Sequence, residues 1–73
     1  MGVLREDDIG PDGVVMVVDW DLMKVGHSIF IPCINVKLAL KQVRKIFERR
    51  GWSLRSKVSI ENEILGLRIW RTA

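Results

Sequence analysis

One amphipathic segment limits the folds that this chain can adopt. Apolar residues recur every three or four positions over 36–50, and basic residues occupy most of the positions between them. This spacing is typical of an α-helix with a single buried stripe. Asn35 is suited to cap the first turn with its side-chain oxygen, and Gly51 is suited to the left-handed conformation that ends many helices. The sequence therefore predicts one helix, Val36–Arg50, with one face that another element must cover.

Four other segments carry strand patterns. His27–Cys33 is rich in isoleucine, and Trp52–Ile60 and Ile64–Arg71 alternate apolar with polar residues around a turn at 62–63. Val14–Val18 is a run of five apolar residues, mostly β-branched. Residues of these types favour strands. We expect the first three segments to form a sheet, and Val14–Val18 to add at a free edge of that sheet.

The turn and the side-chain pattern together predict the register of the hairpin. A two-residue loop sets four cross-strand pairs: Glu61 with Ile64, Ser59 with Gly66, Lys57 with Arg68 and Arg55 with Trp70. The opposite face then collects an apolar stripe: Leu54, Val58, Ile60, Leu65, Leu67 and Ile69. A shift by one residue would bring Arg68 into the core, because side chains alternate between the faces. We therefore expect this stripe to be buried, together with Trp52, which shares its parity.

The order of elements predicts an α+β fold, a single small β-α-β-β domain. The third strand would lie between the first two and antiparallel to both, in the spatial order 1-3-2, with one helix covering one face of the sheet. Residues 1–13 contain three glycines, one proline and four acidic residues, and we expect them to form a flexible acidic N-terminal arm. Residues 14–73 would then form the compact domain.

Charge is divided along the chain. Residues 1–21 contain one arginine and six acidic residues, a net charge of −5, whereas residues 22–73 contain eleven basic and three acidic residues, a net charge of +8. Such a division is typical of a protein that meets other macromolecules rather than one that transforms a small substrate. Composition alone therefore favours a small binding module.

The residues that catalysis or metal binding would need are scarce. His27 and Cys33 are the single histidine and the single cysteine, and six residues of extended chain would separate them by about 20 Å. They cannot form a nucleophile–base pair or a zinc site within one chain. We therefore expect no enzymatic activity, no cofactor and no bound metal, with Cys33 as a core thiol. Since no apolar run approaches the length of a membrane span, we also expect a soluble, intracellular monomer without a membrane partner.

Two basic surfaces are the candidate binding sites. One is the outer face of the helix, and the other is the sheet face opposite the helix, where Arg55 would face Trp70 closely enough for a cation–π contact. Both patterns are also common on surfaces that are merely solvated. Together with the acidic arm, the candidate partner-binding residues are Glu6, Asp7, Asp8, Lys41, Arg44, Lys45, Arg49, Arg55, Lys57, Arg68 and Trp70.

Four motifs between residues 24 and 72 complete the sequence evidence. They are Val25-Gly26-His27-Ser28-Ile29-Phe30-Ile31-Pro32, the basic helix, Gly51-Trp52, and Leu65-Gly66-Leu67-Arg68-Ile69-Trp70-Arg71. This set resembles a group of small bacteriophage-encoded domains with a Gly-x-Ser-x-Phe-apolar-Pro entry and an apolar-Arg-apolar-Trp-Arg exit. With its length and acidic arm, the chain looks like a small lytic-phage transcription regulator that binds host RNA polymerase.

The resemblance implies a non-enzymatic ligand of bacterial RNA polymerase in the host cytoplasm. Such a ligand would inhibit initiation at host promoters by interfering with the sigma factor, and would promote read-through of terminators. The residues themselves leave two other functions open. One is a nucleic-acid-binding module that uses the basic helix and sheet faces. The other is an inhibitor of a different host protein, such as a nuclease, whose acidic arm would mimic phosphate.

Overall fold

The computed structural model describes residues 7–73 and contains one α-helix and one three-stranded antiparallel sheet. A short 3₁₀ turn, Trp20–Leu22, precedes strand β1, Ser28–Pro32. Helix α1 spans Val36–Arg50, and the hairpin consists of β2, Leu54–Glu61, and β3, Ile64–Arg71. The predicted α+β class and the β-α-β-β order are therefore confirmed, and the helix has the predicted bounds.

The sheet has the predicted topology. Strand β3 lies between β1 and β2 and is antiparallel to both. All four predicted hairpin pairs form, from Glu61 with Ile64 to Arg55 with Trp70. The turn residues Asn62 and Glu63 both have positive φ, 50° and 65°, which is the conformation of a two-residue type I′ turn. This turn matches the twist of the strands, so the turn and the alternation of side chains specify the same register.

Both ends of α1 are capped as the sequence predicts. The Asn35 side chain accepts a hydrogen bond of 3.2 Å from the Leu38 N–H. Gly51 has φ 70°, and its N–H donates to the Glu48 carbonyl, while the Trp52 N–H donates to the Phe47 carbonyl. This pair of bonds is a Schellman motif, which satisfies two carbonyls that the helix end would leave without a donor.

The core lies between α1, the sheet and the segment before β1. Trp20, whose place the sequence leaves open, is 1% exposed and makes an edge-to-face contact with Phe47 at 5.8 Å between ring centroids. Trp52 packs on the other side of Phe47, at 5.4 Å, and is half-buried. The buried apolar residues among those described are Ile9, Trp20, Met23, Ile31, Cys33, Ala39, Val43, Ile46, Phe47, Leu67 and Ile69.

The predicted apolar stripe is buried over only half of its length. Leu67 and Ile69 lie in the core, but Val58, Ile60 and Leu65 are 53%, 72% and 38% exposed. Their parity is as predicted, since they share the sheet face on which α1 packs. The prediction that they are buried is wrong, because one helix cannot cover all three strands and no described residue covers the far end of the hairpin.

The segment before β1 differs from its prediction in two ways. Val14–Val18 forms no strand at the sheet edge; instead the chain turns back on itself through a single bridge between Ile9 and Met16, with N–H···O distances of 3.1 and 2.7 Å. Ile9, which lies in the segment predicted to form a flexible arm, is fully buried and belongs to the core. Residues 1–6 of the predicted arm lie outside the described residues.

Candidate functional site

The acidic segment before β1 is paired with the last turn of the helix. The Asp7 carboxylate accepts from Arg50 at 2.9 Å and from Arg49 at 3.3 Å, and Asp21 accepts from Arg50 at 2.7 Å. The Asp7 carbonyl also accepts the indole N–H of Trp20 at 2.8 Å. The hydrogen bond from Arg50 is the main reason that the pKa of Asp7 lies below its ordinary value. Carboxylates and arginines that are far apart in the chain therefore pair with each other on the surface of the fold.

Three further hydrogen bonds fix the acidic segment to the start and middle of α1. The Asp12 carboxylate accepts the backbone N–H groups of Ile34 and Asn35, both at 2.8 Å. The Gly10 N–H donates to the Gln42 side chain at 2.9 Å. Asp12 therefore satisfies backbone donors just before the helix begins, next to the Asn35 cap.

These contacts change the status of the acidic candidates. Asp7 and Arg49, both predicted to meet a partner, are paired with each other, and Asp7 is also paired with Arg50. Asp8 is half-buried and also has an interaction within the fold. Glu6 lies outside the described residues. Over its described part, the segment predicted as a partner-binding arm is a component of the fold.

The outer face of α1 carries the first group of free cations. Lys41, Arg44 and Lys45 are exposed, and within residues 7–73 none of them forms an ion pair. With Lys37, Leu40 and Glu48 they line a shallow groove of about 360 Å³. The structure therefore presents these candidates on one surface, as the helical spacing predicts.

The sheet face opposite the helix carries the second group, and the structure brings it together as predicted. Arg68, in the central strand, does not project freely from this face. Its guanidinium makes two hydrogen bonds to the Glu61 carboxylate, with 2.7 Å between Nε and Oε2, and its Nη1 donates to Ser28 at 2.8 Å. It also stacks over the Phe30 ring, 5.6 Å from the centroid. Arg68 holds the three strands together and is half-buried, so it is less available to a partner than Arg55 or Lys57.

Gly66 makes this stack possible. A Cβ at position 66 would collide with the Ile31 carbonyl oxygen and would lie 2.5 Å from Cζ of Phe30. The Phe30 ring thus occupies the space that a side chain at this position would need, and Arg68 lies above the ring. The sequence signal for this arrangement is a glycine in the middle of the most apolar strand, which often marks a close approach of another group.

Trp70 lies beside a concavity on the same sheet face. The concavity has a volume of about 740 Å³, and its lining includes Val25, Gly26, Arg55, Lys57 and Trp70. Arg55 and Lys57 are exposed and have no ion-pair partner within the described chain, whereas Trp70 is half-buried. This is where unpaired cations and an aromatic ring occur together.

The predicted cation–π contact of Arg55 with Trp70 does not form, although the two residues are cross-strand neighbours. The tryptophan that stacks with cations is Trp52, with the guanidinium of Arg71 at 3.7 Å and that of Arg50 at 5.0 Å from its ring centroid. Arg71 is fixed there by a 2.8 Å bond to the Met23 carbonyl, and Arg55 is exposed on the open face.

His27 and Cys33, whose side-chain types often serve in catalysis, make contacts that support the fold. Nδ1 of His27 accepts the Lys24 N–H at 3.3 Å, which closes the turn before β1. Cys33 is buried, and desolvation raises the pKa of its thiol, which keeps it in the unreactive protonated form. Within residues 7–73 no three His, Cys, Asp or Glu side chains are grouped so that they could hold a metal ion. Nor does this part of the chain contain a helix with the length and apolar character to cross a membrane.

Comparison with protein-family models, with curated proteins and with solved structures found no match for this chain. A function for this chain is therefore inferred from the surfaces described above and from the resemblance of residues 24–72.

Proposed function

We propose that this protein is a phage-encoded ligand of bacterial RNA polymerase that acts without catalysis. It would inhibit host initiation by interfering with the sigma factor and would promote read-through of terminators. The motifs between residues 24 and 72 suggest the identity of the partner. The surface of the fold supports a protein partner of some kind.

The observation that carries this proposal is the mixed character of the exposed side chains along strand β2. Val58 and Ile60 are more than half exposed on one face, while Arg55 and Lys57 are exposed on the other and form no ion pair with any residue in 7–73. A phosphate backbone would neutralise the cations but would not cover the apolar side chains. A protein surface can do both, because interfaces combine an apolar centre with charged residues at the rim. The exposure of both apolar and basic side chains on strand β2 therefore favours a protein as the partner.

Mechanistically, the domain would act by occupying a surface that the sigma factor or the nascent transcript requires. An interface of standard size buries about 800 Å² on each partner, which a domain of 73 residues can supply. The basic residues would speed the encounter with an acidic surface, and the apolar residues would slow dissociation.

A nucleic-acid-binding module is the second candidate, and one observation favours it. Arg55, Lys57 and Trp70 line one concavity, and a ring next to two cations is a common element of single-strand binding surfaces. The described acidic groups do not oppose this reading strongly, because Asp7 is held by Arg49 and Arg50 at the end of the helix. A single tryptophan offers only one stacking platform, however, so we place this function second.

The third candidate, an inhibitor of a nuclease or similar host protein, depends on free carboxylates that mimic phosphate. Asp7 is engaged by Arg49 and Arg50 and Asp12 by two backbone N–H groups, so neither carboxylate is free to do so. The described part of the chain therefore gives this function less support than the other two.

The proposal is tested by binding to purified polymerase and by transcription in vitro. We expect the protein to bind core enzyme or holoenzyme after nuclease treatment, to reduce promoter-dependent initiation, and to raise read-through at an intrinsic terminator. Titration with single- and double-stranded oligonucleotides over a range of salt concentrations serves as the comparison. Binding to oligonucleotides with no binding to polymerase would contradict the proposal and would support the second candidate.

A further inference from the structure

The two edges of the sheet differ in what they offer to a partner. Strand β1 has five residues and ends at Pro32, which cannot donate a backbone hydrogen bond. Strand β2 has eight residues, contains no proline, and pairs on one side with β3. The outer edge of β2 is therefore the longer edge with hydrogen-bonding capacity.

The bonds of the central strand show which backbone groups of β2 point outward. The Cys33 N–H donates to the Leu65 carbonyl, and the Arg71 N–H donates to the His27 carbonyl, so odd-numbered residues of β3 turn toward β1. Even-numbered residues of β3 must then turn toward β2, where their partners are odd-numbered. The outward N–H and C=O groups of β2 are consequently those of its even-numbered residues, which are Leu54, Ser56, Val58 and Ile60. Within residues 7–73, none of these backbone groups has a hydrogen-bond partner beyond the sheet.

The side chains along this edge specify the chemistry of an added strand. On the open face, β2 presents the exposed cations Arg55 and Lys57, and on the helix face it presents the exposed apolar residues Val58 and Ile60. Side chains of a neighbouring strand meet these residues directly across the ladder. An added strand is therefore complementary when acidic residues alternate with apolar residues.

A second copy of this chain is a poorer occupant. Paired with its own copy, β2 would bring further arginines and lysines to the face that already carries Arg55 and Lys57. The one carboxylate that β2 has on that face, Glu61, is already bound by Arg68. Like charges on opposing strands destabilise the pair, so the charges favour a different chain.

We propose that the protein binds an extended segment of its partner as a fourth strand on the outer edge of β2. The segment alternates acidic residues, which face Arg55 and Lys57, with apolar residues, which face Val58 and Ile60. Side chains on the acidic face would reach the concavity beside Trp70. This inference rests on the proposed function in one respect, that the partner is a protein, and it gives the mode and chemistry of that contact.

Hydrogen exchange in the full-length, ¹⁵N-labelled protein tests the inference. The probe is a synthetic seven-residue peptide that alternates glutamate with valine and isoleucine, and the control peptide has the same composition with its glutamates in one block. At about ten times its dissociation constant, the alternating peptide should slow exchange about tenfold at the four even-numbered amides of β2. The odd-numbered amides, already bonded to β3, should change little and serve as an internal control.

Several results would overturn the inference. These are equal binding of the two peptides, equal protection of odd- and even-numbered amides, and no protection of any even-numbered amide at about 1 mM peptide. Protection of the same amides that grows with protein concentration alone would assign the edge to a second copy. Protection that only an oligonucleotide induces would assign it to nucleic acid.

A backbone variant and a backbone-modified peptide separate strand addition from simple charge attraction. Ser56→Pro removes one outward N–H and leaves the ladder to β3 intact, whereas Ser56→Ala keeps that N–H. We expect tenfold or greater loss of peptide affinity for the first and less than twofold for the second. If Ser56→Pro fails to fold, two N-methylated peptides replace it, one methylated at its odd-numbered amides and the other at its even-numbered amides. Methylation of the amides that face β2 should abolish binding, and methylation of the amides that face away should preserve it. Equal effects of the two methylation patterns would contradict strand addition.

The same variants distinguish this inference from the proposed function. If polymerase binds Ser56→Pro and the unmodified protein equally, strand addition is wrong and the polymerase proposal stands. If the alternating peptide binds with the expected parity but polymerase does not bind, the polymerase proposal is wrong and the strand-binding edge stands.

Discussion

The acidic segment before β1 and the outer edge of β2 differ in whether their charged side chains are paired within the fold. Asp7 and Asp21 are paired with arginines at the end of the helix, and a buried isoleucine and tryptophan anchor the same segment. At the edge of β2, Arg55 and Lys57 have no such pairing with the part of the chain that the structure describes, and the neighbouring apolar side chains are exposed. Charges in the first region therefore contribute to folding, whereas those in the second remain available for a partner.

The two regions should differ most in how much the free energy of unfolding falls when an apolar side chain is truncated. Trp20→Ala removes a buried ring that contacts Phe47, and we expect it to lower the free energy of unfolding by about 3–5 kcal/mol. Ile60→Ala removes an exposed side chain and should change that free energy by less than about 0.5 kcal/mol. Urea denaturation followed by tryptophan fluorescence and by far-ultraviolet circular dichroism measures both. A loss of more than about 1 kcal/mol for Ile60→Ala would show that the hairpin end is covered.

The close approach at Gly66 gives the next largest effect. Gly66→Ala places a methyl group against the Ile31 carbonyl and the Phe30 ring, and we expect a loss of about 1–3 kcal/mol in the free energy of unfolding. Adding Phe30→Ala should relieve the clash with the ring but not that with the backbone. A double variant as stable as the original protein would contradict the backbone contact.

A smaller effect is expected at the start of the helix. Asp12→Ala leaves the N–H groups of Ile34 and Asn35 without their acceptor, so we expect a loss of about 1 kcal/mol. Asp19→Ala is the matched control, because the Asp19 side chain makes no capping hydrogen bond. Thermal or urea unfolding of the two variants should differ, and equal stabilities would mean that the acidic segment does not support the helix start.

The smallest expected effect is the loss of unfolding free energy in acid when the paired carboxylates are protonated. Hydrogen bonds from Arg50 and Arg68 hold the pKa values of Asp7 and Glu61 below their ordinary values of 3.8 and 4.5. A lowered pKa in the folded state stabilises the fold fully above about pH 5, and this contribution is lost as the pH falls through the folded values. Asp7→Asn and Glu61→Gln should each flatten the decline in unfolding free energy below pH 4.5. An unchanged decline in both variants would contradict the pairing.

The helix and the hairpin could be predicted because short-range patterns determine them. Asn35, Gly51 and the turn at 62–63 each specify a local conformation that agrees with the side-chain alternation around it. The acidic segment could not be predicted in this way, because its bonds to the rest of the fold join residues that are far apart in the chain, from 22 positions for Asp12 and Ile34 to 43 for Asp7 and Arg50. Composition alone therefore predicted an arm where the structure has a packed segment.

The candidate site was predictable to a similar extent. Alternation placed Arg55, Lys57, Arg68 and Trp70 on one face, and the structure has them there. Alternation could not show that Arg68 is bound by Glu61, or that Val58 and Ile60 are left uncovered by α1. Those outcomes depend on how far one helix extends over the sheet and on which neighbours a long side chain reaches.

Charge reversal at the edge of β2 shows whether the partner binds at this edge. Arg55→Glu/Lys57→Glu and the control Lys41→Glu/Lys45→Glu change the net charge equally, and all four residues are exposed. We expect both variants to remain folded. The β2 variant should bind purified RNA polymerase at least tenfold more weakly, a change of about 1.4 kcal/mol, while the helix variant should stay within about threefold of the original. Equal weakening of both would mean that only net charge matters, and unchanged binding of the β2 variant would contradict the account.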